Sequence, residues 1–488
     1  MENFRNFVYK NQKKFLVILI SYLFVTLSIG IVNYPYIDDI NRQVTGFTGF
    51  GEHYSRYFSE FIAYLFQGSR HLTDTGLTTY LLSAVIMSLT SILILFIFFD
   101  GKKVTWMSVL SSVLLGINPW FLEVLSFRFD SPYISLSVLV SIIPFLLYKR
   151  RELKYFLLSI VGIFLMCNSY QASSGIYPIM LLSLIYIDLL SDSKFINIAK
   201  KLGISILAYA IAMGLYFIEM NFNPQLASRG DNTKIASLSE MPKAVTTNFR
   251  VYFSTLFSQS AKVWILLFFI LLLFFIFDSL FDTKISKIKT LIFSLIYLVV
   301  GSFLSYGVYA FFAEALSDDR PRYAYGFAFF VGLILILLGN KVTKPLFDYT
   351  KVIVLSLFLY YISSFSFTYA STLDYQKDEF ERQSVILSKD LANYITQDNN
   401  KVYINRLFND SPTFLNTSRN YPILPALVPS NSNLYWPNVM WFNNLTRLNA
   451  NFVGVDFNTI DKSTLETLVS NKYYNIYKRE NQLYIYMK

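Results

Sequence analysis

A mostly α-helical, polytopic membrane protein with a small α/β domain at its C-terminal end is the fold class this sequence predicts, and three observations predict it. The 488 residues are 54% hydrophobic and 18% aromatic but only 15% charged, with a mean hydropathy of +0.42, a balance that water-soluble domains of this size do not show. Apolar runs of roughly membrane length recur along the chain and are separated by short polar connectors. The pattern stops near Ala370, beyond which the sequence reads as charged helix, alternating strand and turn.

The same composition limits the chemistry. Both histidines, His53 and His71, fall in one polar stretch, and the single cysteine, Cys167, falls in an apolar run, so intrachain disulfides and multi-cysteine metal sites are excluded. The formal charge is +10, but Lys and Arg sit in short clusters between apolar runs, where their usual role is to orient a membrane protein. Nucleic acid is therefore not expected as a partner, whereas membrane lipid is.

The first span is Phe15–Val32, preceded by Arg5, Lys10, Lys13 and Lys14 and followed by no small-residue cleavage site, which reads as a retained signal anchor. Further spans read as 77–99, 104–117, 133–148, 155–168, 176–190, 202–220, 263–281, 291–312, 325–339 and 352–370, about eleven in all, several short of the ~20 residues a crossing needs. Alternate connectors carry Lys102 and Lys103, Lys149 to Arg151, Lys200 and Lys201, Lys284 to Lys289, and Lys341, Lys344 and Lys351. Since cytoplasmic loops hold the basic excess, the N-terminus is expected in the cytoplasm and the tail outside. Residues 1–371 read as the transmembrane domain with its outer loops, and 372–488 as an extracytoplasmic α/β domain. Trp436 and Trp441 of that domain lie among Asn, Pro and Tyr, a composition suited to sugar rings or to plain packing.

The stretch from Pro35 to Thr75 concentrates polar chemistry beside the first span. Asp38 and Asp39 are adjacent carboxylates, of which a partly desolvated site would push one toward a pKa useful for general-base work; a helix cap or a solvated patch explains them equally. Residues 54–67 place Tyr54, Tyr57, Phe58, Phe61, Ile62, Leu65 and Phe66 at helical spacing, so this segment reads as an amphipathic helix lying on the membrane surface. The outer loops before Ser169 use Arg42, Arg56, Arg70 and Arg128 and no lysine, and the last outer loop reads Ser317-Asp318-Asp319-Arg320-Pro321-Arg322-Tyr323. Guanidinium groups are the preferred bidentate partners of phosphate, so Arg320 and Arg322 are candidates to hold one. Local pairing of Arg320 or Arg322 with Asp318 or Asp319, and of Arg56 with Glu60 at i, i+4, is the competing explanation. Between two spans, Asn118-Pro119 leads through Glu123 to Arg128 and Asp130, readable as an ion pair orienting the loop, and Tyr170-Gln171 opens a small polar break.

Together, Tyr36-Ile-Asp38-Asp39 with Arg42, Asn118-Pro119 through Arg128-Phe-Asp130-Ser131, Tyr170-Gln171 and Arg320-Pro-Arg322-Tyr323 resemble the serotype-converting O-antigen glucosyltransferases of bacteria and their phages, enzymes of GT-C fold. That resemblance implies an essential acid in the first outer loop, a surface helix beside it and a soluble outer domain. It also implies a polyprenyl-phosphate sugar donor, with glucose foremost, and a cell-envelope glycan acceptor outside the membrane. By the same resemblance Asp38 or Asp39 is the base toward the acceptor hydroxyl, and Arg320 and Arg322 hold the departing phosphate. Arg128, Asp130 and Gln171 line the sugar pocket, and Arg42 and Tyr323 complete the substrate-binding set. The resemblance fixes no cofactor; some GT-C relatives use a divalent cation, so magnesium or manganese beside Asp38 and Asp39 stays open. The rivals are a lipid-linked oligosaccharide flippase, which needs ionisable groups deep within spans, and an envelope polysaccharide polymerase.

Overall fold

The computed structural model describes residues 2–226, 234–281, 283–318, 320–341, 345–396 and 400–488; Asp319 and Lys344 lie outside the described residues. The chain forms two compact units, Met1–Ile31 with Thr48–Thr368, and Val32–Phe47 with Tyr369–Lys488.

The first unit is helical. Among the described residues, seven helices are long and apolar enough to cross a membrane: Asn3–Val32, Thr78–Phe99, Gln171–Leu190, Phe195–Asn221, Lys262–Phe281, Lys287–Leu304 and the 47-residue Pro345–Leu391. The other four segments read as spans fold as shorter helices, Trp106–Val113, Ser131–Ile142, Glu152–Cys167 and Tyr325–Asn340. The last of these shows why. It is apolar on every side and buried along almost its whole length, as a helix enclosed by other helices must be. Its C-terminal carbonyls are taken by the opposing segment: Thr105 Oγ1 donates to Gly339 O at 2.6 Å and Ser108 Oγ to Ile336 O at 2.7 Å.

Two glycines bring together the segments that matter for function. A Cβ on either Gly175 or Gly326 would collide with the backbone oxygen of Ser305. Only glycine permits such a backbone approach, and the turns that follow Tyr170 and Ser305 and precede Tyr325 converge as a result. The Pro119–Ser126 helix is started by Asn118, whose side chain accepts from Phe121 N at 3.0 Å, with proline at the first helical position.

The expected amphipathic helix forms as Tyr57–Gln67. It buries Ala63 and packs Ile62 against Phe129 and Tyr133, and leaves Phe61, Leu65 and Phe66 exposed as an apolar stripe. Lys351, read above as an orienting charge, is buried and pairs with Asp278 at 2.8 Å and Asp348 at 2.9 Å.

The second unit is α/β. Strands β1 (Lys401–Ile404), β2 (Asn451–Gly454), β3 (Glu466–Ser470), β4 (Tyr474–Arg479) and β5 (Gln482–Met487) form one sheet in the order β2-β1-β5-β4-β3. β1 runs parallel to both β2 and β5, and β4 and β5 form a hairpin whose turn places Glu480 at φ 55°. Trp441 belongs to the core: it is 4% exposed and stacks on Phe380 at 4.1 Å. Residues Val32–Phe47 join this unit because Tyr36 Oη donates to Leu427 O at 2.8 Å and the Tyr34 ring meets Trp441 at 5.4 Å.

Candidate active site

The first unit holds a cavity of about 610 Å³ whose lining carries two charged side chains among the described residues, Arg56 and Arg320. Aromatic and thioether groups such as Tyr209, Tyr309, Phe217 and Met213 make up much of the rest. Arg56 is held by neutral groups. Its guanidinium lies 4.6 Å from the ring centres of both Tyr54 and Tyr170, and its Nε donates to Gln171 Oε1 at 3.1 Å. Gln171 in turn donates from Nε2 to Tyr54 O at 3.0 Å and to Tyr216 Oη at 2.5 Å, so its amide is largely committed to fixing Arg56. The i, i+4 pairing with Glu60 does not form: that carboxylate accepts from Gly51 N at 2.6 Å, from Thr48 Oγ1 at 2.9 Å and from Tyr64 Oη. Cation–π contact leaves the charge of Arg56 uncancelled.

The Pro321–Tyr323 turn and the residue before it supply a further part of the lining. Arg320 and Tyr323 line the cavity, while Arg322 meets a partner the sequence did not reveal. Glu123, 2% exposed, accepts from Arg322 N at 2.6 Å through one oxygen and from Arg322 Nη1 through the other. Burial pushes the Glu123 carboxyl up, and Arg322 opposes that by hydrogen bonding and charge. Arg322 also lies over Phe127 and Tyr323, 5.1 Å from each ring centre. Burial raises the Tyr323 phenol, but Arg322, Arg320 and Arg56 together outweigh it and hold the group below its ordinary value. Arg322 and Arg320 thus lie 5.1 and 6.0 Å from the Tyr323 ring centre, and Arg56, on the same cavity lining, adds its charge. Beside them the Tyr170 hydroxyl is buried with no hydrogen-bond partner among the described residues.

The other expected site residues lie elsewhere. Arg128 Nε bonds Asp74 Oδ1 at 2.7 Å and its Nη1 reaches Gly30 O at 3.4 Å. Asp130, 7% exposed, precedes the Ser131–Ile142 helix and its carbonyl accepts from Tyr133 N and Ile134 N. Neither lines the cavity. Asp38, Asp39 and Arg42 belong to the second unit. Asp39 is fully buried at the start of the Asp39–Thr45 helix, and Arg42 is 5% exposed within it. Asp38 is half-buried and occupies the N-cap position, yet its side chain makes no capping hydrogen bond. It follows Ile37 at φ 43°, a conformation strained for a β-branched residue and of the kind that gathers at functional sites. Burial, with the Asp38 charge adding to it, pushes the neighbouring Tyr435 phenol up to about 12. Among the described residues no three His, Cys, Asp or Glu side chains gather to hold a metal ion.

These features define a multi-pass helical membrane protein with a cation-lined, aromatic-walled cavity and a small α/β unit. The chain belongs to the family described as "Glucosyl transferase GtrII", whose profile matches residues 27–333. It is also 28% identical over 182 residues to an "Uncharacterized 55.3 kDa protein in gtrB 5'region" of Salmonella phage P22, a match covering 37% of each chain.

Proposed function

We propose that this protein is a membrane glycosyltransferase of the GT-C type that transfers a hexosyl group, glucosyl foremost, from a polyprenyl-phosphate donor to a cell-envelope glycan on the outer side of the membrane. The observation that carries the reading is the cavity whose two charged lining residues, among those described, are both arginine. Such a lining favours an anionic group joined to an apolar or ring-bearing one, and family membership supports the transfer chemistry. The whole reading includes eleven crossings, some by helices that end within the bundle, with the N-terminus cytoplasmic and the 372–488 region outside.

In this mechanism the acceptor hydroxyl oxygen attacks the anomeric carbon and the bond from that carbon to the phosphate oxygen breaks with inversion. The electron pair leaves on the polyprenyl phosphate, and the hydroxyl proton passes to a first-loop carboxylate. Asp38 suits that role better than Asp39, because it is half-exposed and free of capping duty whereas Asp39 is fully buried. Arginine stabilises the charge that builds on the leaving phosphate. No step is routed through a metal ion.

Purified protein in nanodiscs, given a radiolabelled glucosyl polyprenyl phosphate and envelope glycan, should release polyprenyl phosphate and label the glycan. In sealed proteoliposomes, labelled lipid crossing the bilayer without any transfer would replace this reading with the flippase.

A further inference from the structure

The three arginines that surround Tyr323 have different electrostatic surroundings. Arg322 gives its backbone N–H and a guanidinium N–H to the two oxygens of one buried carboxylate, Glu123. Arg56 faces two rings and an amide, and Arg320 lies beside the Tyr323 ring, 6.0 Å from its centre. Among the described residues, neither Arg56 nor Arg320 has a carboxylate within ion-pair distance, and both line the cavity while Arg322 and Glu123 do not.

Glu123 is therefore unsuited to touch a substrate: it is buried, and both of its oxygens are occupied by Arg322. What it controls is charge and geometry. Its carboxylate cancels one guanidinium of three, and its bond to Arg322 N pins the backbone of the turn on which Arg320 and Tyr323 stand. Among the described residues the cancellation leaves two cavity-lining guanidiniums with no carboxylate at ion-pair distance. A phosphodiester donor carries about one negative charge and the departing phosphate monoester about two at neutral pH. Two cations thus match the charge of the leaving group more closely than that of the bound donor, which is what lowers a barrier.

We infer that Arg56 and Arg320 are the pair that binds the donor phosphate, and that Glu123 is a positioning residue that holds Arg322 out of that pair while fixing the turn that presents Arg320. This rests on the donor reading above and assigns its phosphate site.

The test is binding of a synthetic ten-carbon prenyl phosphate to the full chain in nanodiscs, with the corresponding prenol as the neutral control, followed by transfer kinetics. Arg56→Met and Arg320→Met should each weaken phosphate binding by about 10- to 100-fold, the loss of a charge-assisted contact. Arg322→Met should cost stability by stranding the buried Glu123 carboxylate, and in the protein that stays folded should weaken binding by less than about 3-fold, since that charge is already engaged. Glu123→Gln should lower kcat more than it raises KM, because the released Arg322 disturbs the turn. Adding Arg322→Met to Glu123→Gln should recover much of the loss, and Glu123→Asp should be milder than Glu123→Gln. The division of roles is overturned if Arg322→Met costs as much binding as Arg320→Met, or if the double variant is no better than Glu123→Gln alone. Wild-type protein that binds the phosphate no better than the prenol would instead sink the donor reading itself.

Discussion

Arg128 and Arg56 both lie in polar stretches between apolar runs of the first unit and near aromatic rings, and their polar neighbours differ in charge. Arg128 spends its charge internally, with Asp74 at 2.7 Å and a backbone carbonyl at 3.4 Å. Arg56 is oriented as firmly, by Gln171 at 3.1 Å and by two rings, but by groups that carry no charge. A guanidinium held by a carboxylate ties loops together; one held by an amide and π-faces keeps its field for a ligand. The adjacent carboxylates of the second unit repeat the contrast: Asp39 is fully buried, and Asp38 is half-exposed on a strained turn with its side chain unused as a cap.

The largest effect expected from this contrast is at the carboxylates. Asp38→Asn should lower glucosyl transfer roughly 10²- to 10⁴-fold, the range for loss of a general base, with the thermal unfolding of the protein nearly unchanged. Asp39→Asn should act mainly on stability. Equal transfer by wild type and Asp38→Asn would remove Asp38 from the mechanism.

The arginines sharpen it next. Arg56→Met should reduce kcat/KM by roughly 10²-fold and leave the midpoint of thermal unfolding close to that of the wild type. Arg128→Met should do the reverse, costing about 1 to 3 kcal/mol of stability by stranding a partly buried carboxylate, with a small change in the kinetics of the protein that stays folded. If the two variants lost activity and stability in the same proportion, neighbouring charge would not be what separates them.

Much of this organisation is legible in the sequence, and what is not has physical reasons. Apolar runs located the membrane helices, and helical spacing located the Tyr57–Gln67 helix with its exposed stripe. Hydropathy does not register how much of a span its neighbours enclose, which is why the burial of Tyr325–Asn340 along almost its whole length and the shortness of Trp106–Val113 emerge only from the fold. The Arg320-Pro-Arg322 signal pointed at charge but not at its distribution. The acids nearest in sequence, Asp318 and Asp319, lie within four residues, whereas the carboxylate that Arg322 binds, Glu123, lies 199 positions away. The i, i+4 pairing of Arg56 with Glu60 fails for the mirror-image reason: Glu60 stands at ideal helical spacing, yet a backbone N–H and two hydroxyls claim it first. Trp441 had the composition of a sugar platform, but its stacking on Phe380 depends on a long-range contact that composition does not record.

The smallest expected effect concerns Tyr323, where the contrast between committed and open charge becomes a pH dependence. The three arginines hold its phenol below the usual value of about 10 despite burial. An anion bound at Arg56 and Arg320 supplies the negative charge those groups otherwise draw from the phenol, so binding must raise the Tyr323 pKa. By linkage, the neutral phenol favours donor binding and the phenolate opposes it. Donor KM should therefore be flat at low pH and rise as pH increases through the Tyr323 pKa of the free protein, by up to about tenfold per pH unit once the phenolate predominates. Tyr323→Phe should abolish that alkaline rise while raising KM a few-fold near neutral pH, because the phenol can no longer donate a hydrogen bond. An alkaline limb of the same size in Tyr323→Phe would mean that another group titrates there and that the arginine field is directed elsewhere.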